Sequence, residues 1–147
     1  DIVIALDGAS DWLLDNGITP NVILGDLDSI QKIPENCTVI NIADQDSNDL
    51  EKALKYCQLR GKNDVSILGA FGLRMDHVLT NFFAVSKFAN SMRITMADER
   101  HCAFISPGDT VFFHNNRGSF ISLFPLTTCG PILTEGLKYP LNNEILS

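Results

Sequence analysis

The sequence predicts an α/β fold, in which a parallel sheet with helices on both faces is followed by an all-β region. Short apolar runs alternate with segments of helical periodicity over the first two-thirds of the chain. The runs are rich in β-branched residues and lack polar alternation, which is typical of parallel strands buried on both faces. After about residue 100, short strands between Pro, Gly and Asn turns replace the helical period. We therefore expect an α/β catalytic domain over residues 1–99 and a sandwich-like β subdomain over residues 100–147.

The elements of the α/β domain can be placed one after another from their boundary residues. Gly17 ends the first helix, Asp46 or Ser47 is expected to cap the second, and Gly61 follows its last turn. The apolar residues of the second and third helices are expected to lie in the core. The predicted strands are 2–6, 21–24, 38–42, 65–68 and 93–97, and the predicted helices are 10–16, 48–59 and 76–88. The predicted core stripes are Leu50, Ala53, Leu54 and Cys57 on one helix and Val78, Leu79, Phe82, Phe83, Val85 and Phe88 on the other.

The β region is predicted to contain strands at 101–106, 110–114 and 119–124 and a further strand from 132. Its last segment, Thr134–Leu141, has no later strand with which to pair in this prediction. The chain also begins in mid-strand at Asp1. We therefore expect residues to be missing at both ends and the β subdomain to be incomplete.

Composition excludes several classes of protein. With 147 residues, the chain is one domain, or one domain with a small appendage. Its net charge of −7 and its lack of a basic patch argue against nucleic-acid binding. No apolar stretch approaches the roughly 18 residues of a membrane span. The four cysteines have no metal-binding spacing and are expected to be reduced thiols, so we predict a soluble cytoplasmic protein with no membrane partner.

Two acidic clusters carry the strongest chemical signal. Asp26 and Asp28 follow one predicted strand, and Asp44, Asp46 and Asp49 follow the next. Like charges crowded at strand ends repel one another, but they suit a hard cation such as Mg²⁺, which prefers oxygen ligands and works beside phosphates. Alternation at the strand exit should point the first two carboxylates to the same side. The alternative for any single Asp, above all Asp46, is a helix cap or a turn residue.

A glycine-containing turn before the third helix suggests a phosphate site. Gly69 and Gly72 allow backbone amides to approach phosphate oxygens at a helix N-terminus, and Arg74 offers a forked donor. The sequence has neither a Walker A loop nor the dinucleotide fingerprint. In an open α/β sheet, ligands bind at the carboxyl ends of strands, where Asp7 and Gly8 also lie. The nucleotide-binding residues that we predict are Asp7, Gly8, Gly69, Gly72 and Arg74.

These segments resemble the thiamin pyrophosphokinase family. Gly25–Ser29 is similar to its G-D-x-D-S segment, and Asp44–Leu54 is similar to its D-x-D-x-T-D-x-x-K-A-L stretch. Gly69–His77 resembles its G-x-x-G-G-R-x-D-H, and Thr134–Leu141 resembles its T-x-G-L-K-Y/W-x-L. The matches cover nearly the whole chain in the family's order. The chain departs from the pattern at three positions, namely Asn48 for Thr, Leu73 for Gly and Ala9 for a second Gly.

The resemblance implies an ATP-dependent enzyme that transfers pyrophosphate to the hydroxyl of thiamin and releases AMP. It implies a homodimer with thiamin near the subunit interface, an α/β domain that binds ATP and Mg²⁺, and a β subdomain that binds thiamin. The implied metal ligands and catalytic residues are Asp26, Asp28 and Asp49, with Arg74 and Asp76 framing the phosphates and the substrate. The implied substrate-binding residues are Gln45, Asp46, Asp76, His77 and Tyr139, the last stacking near the thiamin ring.

Several alternatives stay open on the residues alone. Asp76 can be the cap of the third helix, and His77 can be a packing or surface residue. Either Asp46 or Asp76 can take the proton of the attacked hydroxyl. The same metal and phosphate site would also suit transfer to another small hydroxylated acceptor, or a sensor of nucleotide or thiamin diphosphate without turnover.

Overall fold

A computed structural model describes residues 1–44, 46–72, 74–105, 110–114 and 117–147. The chain forms two compact units, Asp1–Ile105 and Ser106–Ser147. Within the described residues, no helix is long and apolar enough to cross a lipid bilayer.

The first unit alternates strands and helices in the predicted order, and each predicted element is present with ends shifted by one or two residues. The strands are β1 (Ile4–Leu6), β2 (Val22–Gly25), β3 (Thr38–Asn41), β4 (Asp64–Leu68), β5 (Arg93–Ala97) and β6 (Cys102–Ile105). The helices are α1 (Ala9–Asp15), α2 (Asp49–Leu59) and α3 (Met75–Ser86).

Parallel pairing brings the carboxyl ends of β1, β2 and β3 to one edge. These strands form a three-stranded parallel sheet in that order, with Leu6 opposite Leu24 and Gly25 opposite Asn41. The central strand β2 is buried along its whole length, as expected for a strand with two neighbours and both faces covered. The predicted parallel pairing is confirmed for these three strands. The strands of the first unit nevertheless form two three-stranded sheets, β1-β2-β3 and β4-β5-β6, and not the single sheet that the sequence predicted.

The second sheet corrects the predicted start of the β region. Strand β4 pairs in parallel with β5, and β5 pairs in antiparallel fashion with β6. The sequence pattern assigned β6 to the all-β region, but its backbone hydrogen bonds are made with β5. A short connection between β5 and β6 makes this antiparallel pairing possible. The first unit therefore extends to Ile105, beyond the predicted boundary at residue 99.

The core of the first unit lies between α2, α3 and the strands. The side chains of Ile23, Leu24, Leu54, Ile94 and Met96 are at most 1% exposed. All four residues of the predicted α2 stripe are buried, which confirms that prediction.

The predicted stripe of α3 is only partly correct. Val85 and Phe88 are buried, but Leu79 and Phe83 are 48% and 61% exposed. The side of α3 that carries them faces away from the packed core, so the interpretation of these two residues as core was wrong. Periodicity finds apolar helix positions, whereas the width of the covered face is set by packing.

The cap of α2 is Asn48 and not Asp46 or Ser47. Its side-chain oxygen accepts a hydrogen bond from the Glu51 backbone N–H at 2.8 Å. A short side-chain acceptor in extended backbone conformation satisfies one of the free N–H groups of the first turn, and Asn does this as well as Asp or Ser.

We expect Asn48→Ala to lower the free energy of unfolding by about 1 kcal/mol, because the first turn loses its side-chain cap. Urea unfolding measures this loss directly. Asn90→Ala serves as the control, since Asn90 is an exposed turn residue, and its effect should stay within about 0.5 kcal/mol. An unchanged urea midpoint for Asn48→Ala would contradict the assigned cap.

The second unit contains one antiparallel hairpin among its described residues. Strand β7 (Cys129–Leu133) pairs with β8 (Asn142–Leu146). Thr134–Leu141 is therefore the connection inside this hairpin, and the expectation that it lacks a partner strand was wrong. Residues 110–114 and 119–124 form no strands, so those predictions were also wrong. An apolar run becomes a strand only where another strand receives its backbone hydrogen bonds.

Candidate functional site

Three carboxylates meet at the edge where β1 and β2 end. Asp7 follows β1 directly, and Asp26 and Asp28 follow β2. One carboxylate oxygen from each residue lies within 4.8 Å of the others. The prediction that Asp26 and Asp28 lie together is confirmed. Asp7, which the sequence assigned to nucleotide binding, supplies the third carboxylate of this group. We call these three residues the acidic triad.

The backbone that builds the acidic triad differs from the extended strand exit that the sequence suggested. Leu27, which lies between Asp26 and Asp28, has a φ of +68°, and Asp7 has a φ of +43°. Such left-handed conformations are unfavourable for non-glycine residues and concentrate at functional sites. Gly25, at the end of β2, permits the close approach of Asp7. A Cβ at position 25 would lie only 3.1 Å from the Asp7 Cβ. A tight turn, and not strand alternation, therefore brings the carboxylates together.

Ser29 connects the carboxylates of the acidic triad. Its hydroxyl lies within hydrogen-bonding distance of Asp7 Oδ2 and is 3.0 Å from Asp28 Oδ1. Because a hydroxyl has one proton, it can donate to only one of the two at a time. Asp7 Oδ1 is buried and has no hydrogen-bond partner among the residues that the structure describes. A buried carboxylate oxygen without a donor is costly, and a bound cation would satisfy it.

The loop that carries Asp26 and Asp28 is anchored on α1. The Asp11 carboxylate accepts hydrogen bonds from the backbone N–H groups of Gln31 and Lys32, both at 3.0 Å. The Lys32 ammonium also pairs with Asp15 at 2.7 Å. These contacts fix the far end of the loop, so the turn at Leu27 is held from both sides.

The second acidic cluster is not part of the triad. Asp44 accepts hydrogen bonds from the Asp46 N–H at 2.9 Å and from the Ser47 hydroxyl at 2.6 Å. These bonds, the Ser47 hydroxyl first, lower the pKa of the Asp44 carboxyl. Asp44 therefore acts as a turn residue before α2, one of the alternatives that the sequence left open. Asp46 is exposed, and Gln45 lies outside the described residues.

Asp49 is the first residue of α2, and its carboxylate contacts a buried lysine. The Lys52 ammonium lies 3.0 Å from Asp49 Oδ1, and the Lys52 side chain is only 5% exposed. The acidic triad among the described residues does not include Asp49. Its role as a metal ligand stays a prediction from the family resemblance.

Two small cavities flank the start of α2. One of about 160 Å³ is lined by residues that include Asp44, Ser47 and Lys52. The other, of about 180 Å³, includes Asp46 and reaches Thr80 on α3. Pockets that enclose a whole drug-sized ligand are larger, about 300 Å³ or more. Each cavity can therefore accept part of a ligand, and the predicted substrate residue Asp46 is placed at one of them.

The loop between β4 and α3 ends in a forked ion pair. Arg74 donates from Nε to Asp76 Oδ1 at 3.1 Å and from its terminal nitrogen to Asp76 Oδ2 at 2.5 Å. Arg74 occupies the N-cap position of α3 without a side-chain capping bond. Asp76 therefore pairs with arginine instead of capping the helix. Gly69 adopts a φ of +75° directly after β4, which suits glycine. His77 is exposed on the first turn.

The Arg74–Asp76 pair should be visible in a pH titration. Its hydrogen bonds lower the pKa of the Asp76 carboxyl below its ordinary value of 3.8 and raise the pKa of the Arg74 guanidinium. The contribution of the pair to stability is therefore complete above the unfolded pKa and is lost as pH falls through the folded pKa. We expect carbon-13 NMR to show Asp76 titrating below pH 3.8, and Arg74→Met to return it to its ordinary range. Unaltered titration in Arg74→Met would contradict the pairing.

Three further predicted residues, Gly8, Gly72 and Tyr139, differ in where they lie. Gly8 lies between β1 and α1, where an added Cβ would make ordinary contact with Ser29 at 3.5 Å. An added Cβ at Gly72 meets nothing within 4 Å. Tyr139 belongs to the second unit and is 78% exposed, with the Lys138 ammonium 5.3 Å from its ring centroid. Its predicted stacking role stays a prediction.

Sequence reasoning missed two features of the site, because it named Ser29 and Lys52 only as letters of motifs. It placed Asp7 at the same strand edge as Asp26, but as a nucleotide-binding residue and not as the third carboxylate of a group. A signal for Asp7 was present, since an acidic residue directly follows a strand that is parallel to the strand before Asp26. No signal in the sequence distinguishes the buried Lys52 from Lys55, the exposed lysine of the same helix.

The family model and the individual relatives that match this chain carry the same description. The family model described as "Thiamin pyrophosphokinase, catalytic domain" matches residues 1–96. The "Thiamine pyrophosphokinase" of Bacillus subtilis (strain 168) is 31% identical over 150 residues, which cover 95% of this chain and 70% of that protein. The "Thiamin pyrophosphokinase 1" of Caenorhabditis elegans is 28% identical over 160 residues, which cover 97% of this chain and 65% of that protein.

Solved structures with the same fold carry the same description. The crystal structure of thiamine pyrophosphokinase from Bacillus subtilis superposes with a TM-score of 0.83 at 29% identity, covering 99% of this chain and 73% of that one. That of thiamin pyrophosphokinase from Geobacillus thermodenitrificans gives a TM-score of 0.81 at 26% identity, covering 98% of this chain and 71% of that one. The arrangement of strands and helices around the acidic triad is therefore shared with these proteins.

Proposed function

The chain belongs to the thiamin pyrophosphokinase family, and from this premise we propose that it transfers a pyrophosphoryl group from ATP to the hydroxyl of thiamin. The products are thiamin diphosphate and AMP. The family match over residues 1–96 and the acidic triad support the proposal together. The triad is the single structural observation that carries it, because crowded carboxylates at a strand edge suit a cation that works on phosphates.

The acidic triad fits a divalent cation such as Mg²⁺. Its donors are carboxylate oxygens, which hard cations prefer, and Asp7 Oδ1 is buried with no hydrogen-bond partner in the described part of the chain. Asp26 and Asp28 would hold the ion with Asp7 beside them, and Ser29 would orient two of the carboxylates. Bound there, the ion supplies positive charge against phosphate oxygens. Asp49, the first residue of α2, would be a further ligand of the ion by the family resemblance.

The loop between β4 and α3 is proposed to hold the phosphates of ATP. The loop leads into the N-terminus of α3, where the Arg74 side chain makes no capping bond, and the positive end of a helix dipole favours an anion. The Arg74 guanidinium presents a planar fork that matches phosphate oxygens, and Asp76 fixes its plane. Positioning and neutralisation of charge account for most of the acceleration in phosphoryl transfer.

The acceptor side of the reaction rests on the family resemblance. Gln45, Asp46, His77 and Tyr139 are the proposed thiamin-binding residues, and Asp46 or Asp76 would accept the hydroxyl proton. The same resemblance predicts that the α/β domain binds the nucleotide and that a β sandwich binds thiamin. It also predicts a homodimer with thiamin near its interface and a cytoplasmic location.

Product analysis tests the proposal. The full-length protein is incubated with ATP, Mg²⁺ and thiamin, and AMP and ADP are separated by chromatography. We expect AMP and thiamin diphosphate in equal amounts, and no turnover in excess EDTA. ADP as the nucleotide product would contradict pyrophosphoryl transfer. Faster AMP formation with another small hydroxylated compound would identify that compound as the preferred acceptor. Tight ligand binding without any product would favour a sensor.

A further inference from the structure

We propose that Lys52 is a positioning residue that holds the Asp49 carboxylate in place for the reaction. This inference rests on the proposed function, in which Asp49 is a ligand of the metal ion. Lys52 is the one charged side chain that is buried among the described residues. Burying an ammonium group costs several kcal/mol unless a partner compensates it, so its retention calls for a specific reason.

The pairing of Lys52 with Asp49 is selective. The neighbouring Glu51 side chain is 13% exposed and binds the other two nearby lysines, with Lys55 at 3.0 Å and Lys87 at 2.6 Å. Glu51 therefore holds the surface cations on its own side of α2. The bonded partner of the Lys52 ammonium among the described residues is Asp49 Oδ1, at 3.0 Å.

The Asp49 carboxylate is held by Lys52 and stays partly accessible to a ligand. Asp49 is the first residue of α2, directly after the Asn48 cap, so the helix fixes its backbone. Its side chain is 35% exposed, in contrast to the buried lysine. The described contact with Lys52 uses one carboxylate oxygen, and the other oxygen can face a ligand. A buried cation thus fixes the rotamer of an accessible carboxylate, as outer-shell partners do at metal and phosphate sites.

The test combines kinetics with unfolding in the full-length protein. Lys52→Met should lower kcat for AMP formation about 10- to 100-fold at saturating MgATP and thiamin. Lys52→Arg, which keeps a cation, should recover most of this loss, and Lys52→Gln provides a polar second variant should the Met variant not fold. Lys55→Met is the matched control, because Lys55 is a half-exposed lysine of the same helix, and its kcat should change less than about twofold.

A double-mutant cycle separates positioning from a general structural effect. In the Asp49→Asn background, Lys52→Met should cause no further loss of kcat, because its effect passes through Asp49. Thermal unfolding without metal or nucleotide should likewise show non-additive shifts of Tm for the two substitutions. An equal loss of kcat in both backgrounds, or an unchanged kcat in folded Lys52→Met, would overturn the inference while wild-type AMP formation keeps the proposed function intact. Wild-type protein that forms no AMP would overturn both.

Discussion

Asp28→Ala is expected to lower kcat for AMP formation by about a thousandfold or more. The substitution removes one of the carboxylates of the acidic triad, and with it the charge that holds a divalent cation against the phosphates. A loss of this size corresponds to about 4 kcal/mol of transition-state stabilisation, which is typical when one strong electrostatic contact is removed. Steady-state kinetics with varied Mg²⁺ concentration would measure it.

The same variant should fold at least as well as the wild type. The Asp28 side chain lies close to two other carboxylates, so its removal relieves repulsion in the metal-free protein. Asp64→Ala is the control, because Asp64 is 70% exposed on β4 and pairs with Arg93. Its kcat should change less than about twofold. Full turnover in a folded Asp28→Ala protein would refute the role of the triad.

The second large effect is expected at Arg74. Arg74→Lys should lower kcat about 100-fold, because an ammonium group cannot reproduce the planar fork that binds phosphate oxygens. The charge is conserved in this substitution, so a loss would report geometry and not net charge. The pair with Asp76 should also lose its two-bond form, which NMR of the Asp76 carboxyl would show.

Arg93→Lys is the control for this experiment. Arg93 is an 80% exposed arginine that also forms an ion pair, with Asp64 at 3.1 Å. We expect its kcat to stay within about twofold of the wild type. Comparable kcat values for Arg74→Lys and Arg93→Lys would mean that Arg74 does not contact the transferred group.

Much of the first unit could be predicted from the sequence because its elements have strong local signals. Apolar runs flanked by glycine and polar residues gave every strand from β1 to β5, and the stripe from Leu50 to Cys57 gave the buried face of α2. The pairing of Asp26 with Asp28 was predicted for the same reason, since both directly follow a buried strand. The backbone that joins them was not, because a left-handed Leu27 has no sequence signature.

The failures have a common physical cause, which is dependence on partners distant in sequence. Leu79 and Phe83 fit a helical stripe, yet the core covers only part of α3. Residues 119–124 have strand-like composition, yet they form no strand in the described structure. Lys52 reads as one more helical lysine until packing buries it. Asp7 was expected at this strand edge, but the tight contact with Gly25 that accommodates its side chain was not. Local pattern cannot specify any of these contacts.

Anomalous diffraction from crystals soaked in Mn²⁺ tests the central claim most directly, since this ion takes the oxygen ligands that suit Mg²⁺ and can be located without ambiguity. We predict an anomalous peak within about 2–2.5 Å of carboxylate oxygens of Asp26 and Asp28, with Asp7 beside it. A crystal whose only peak lies elsewhere, for example between Asp44 and Asp46, would contradict the assignment of the acidic triad as the metal site.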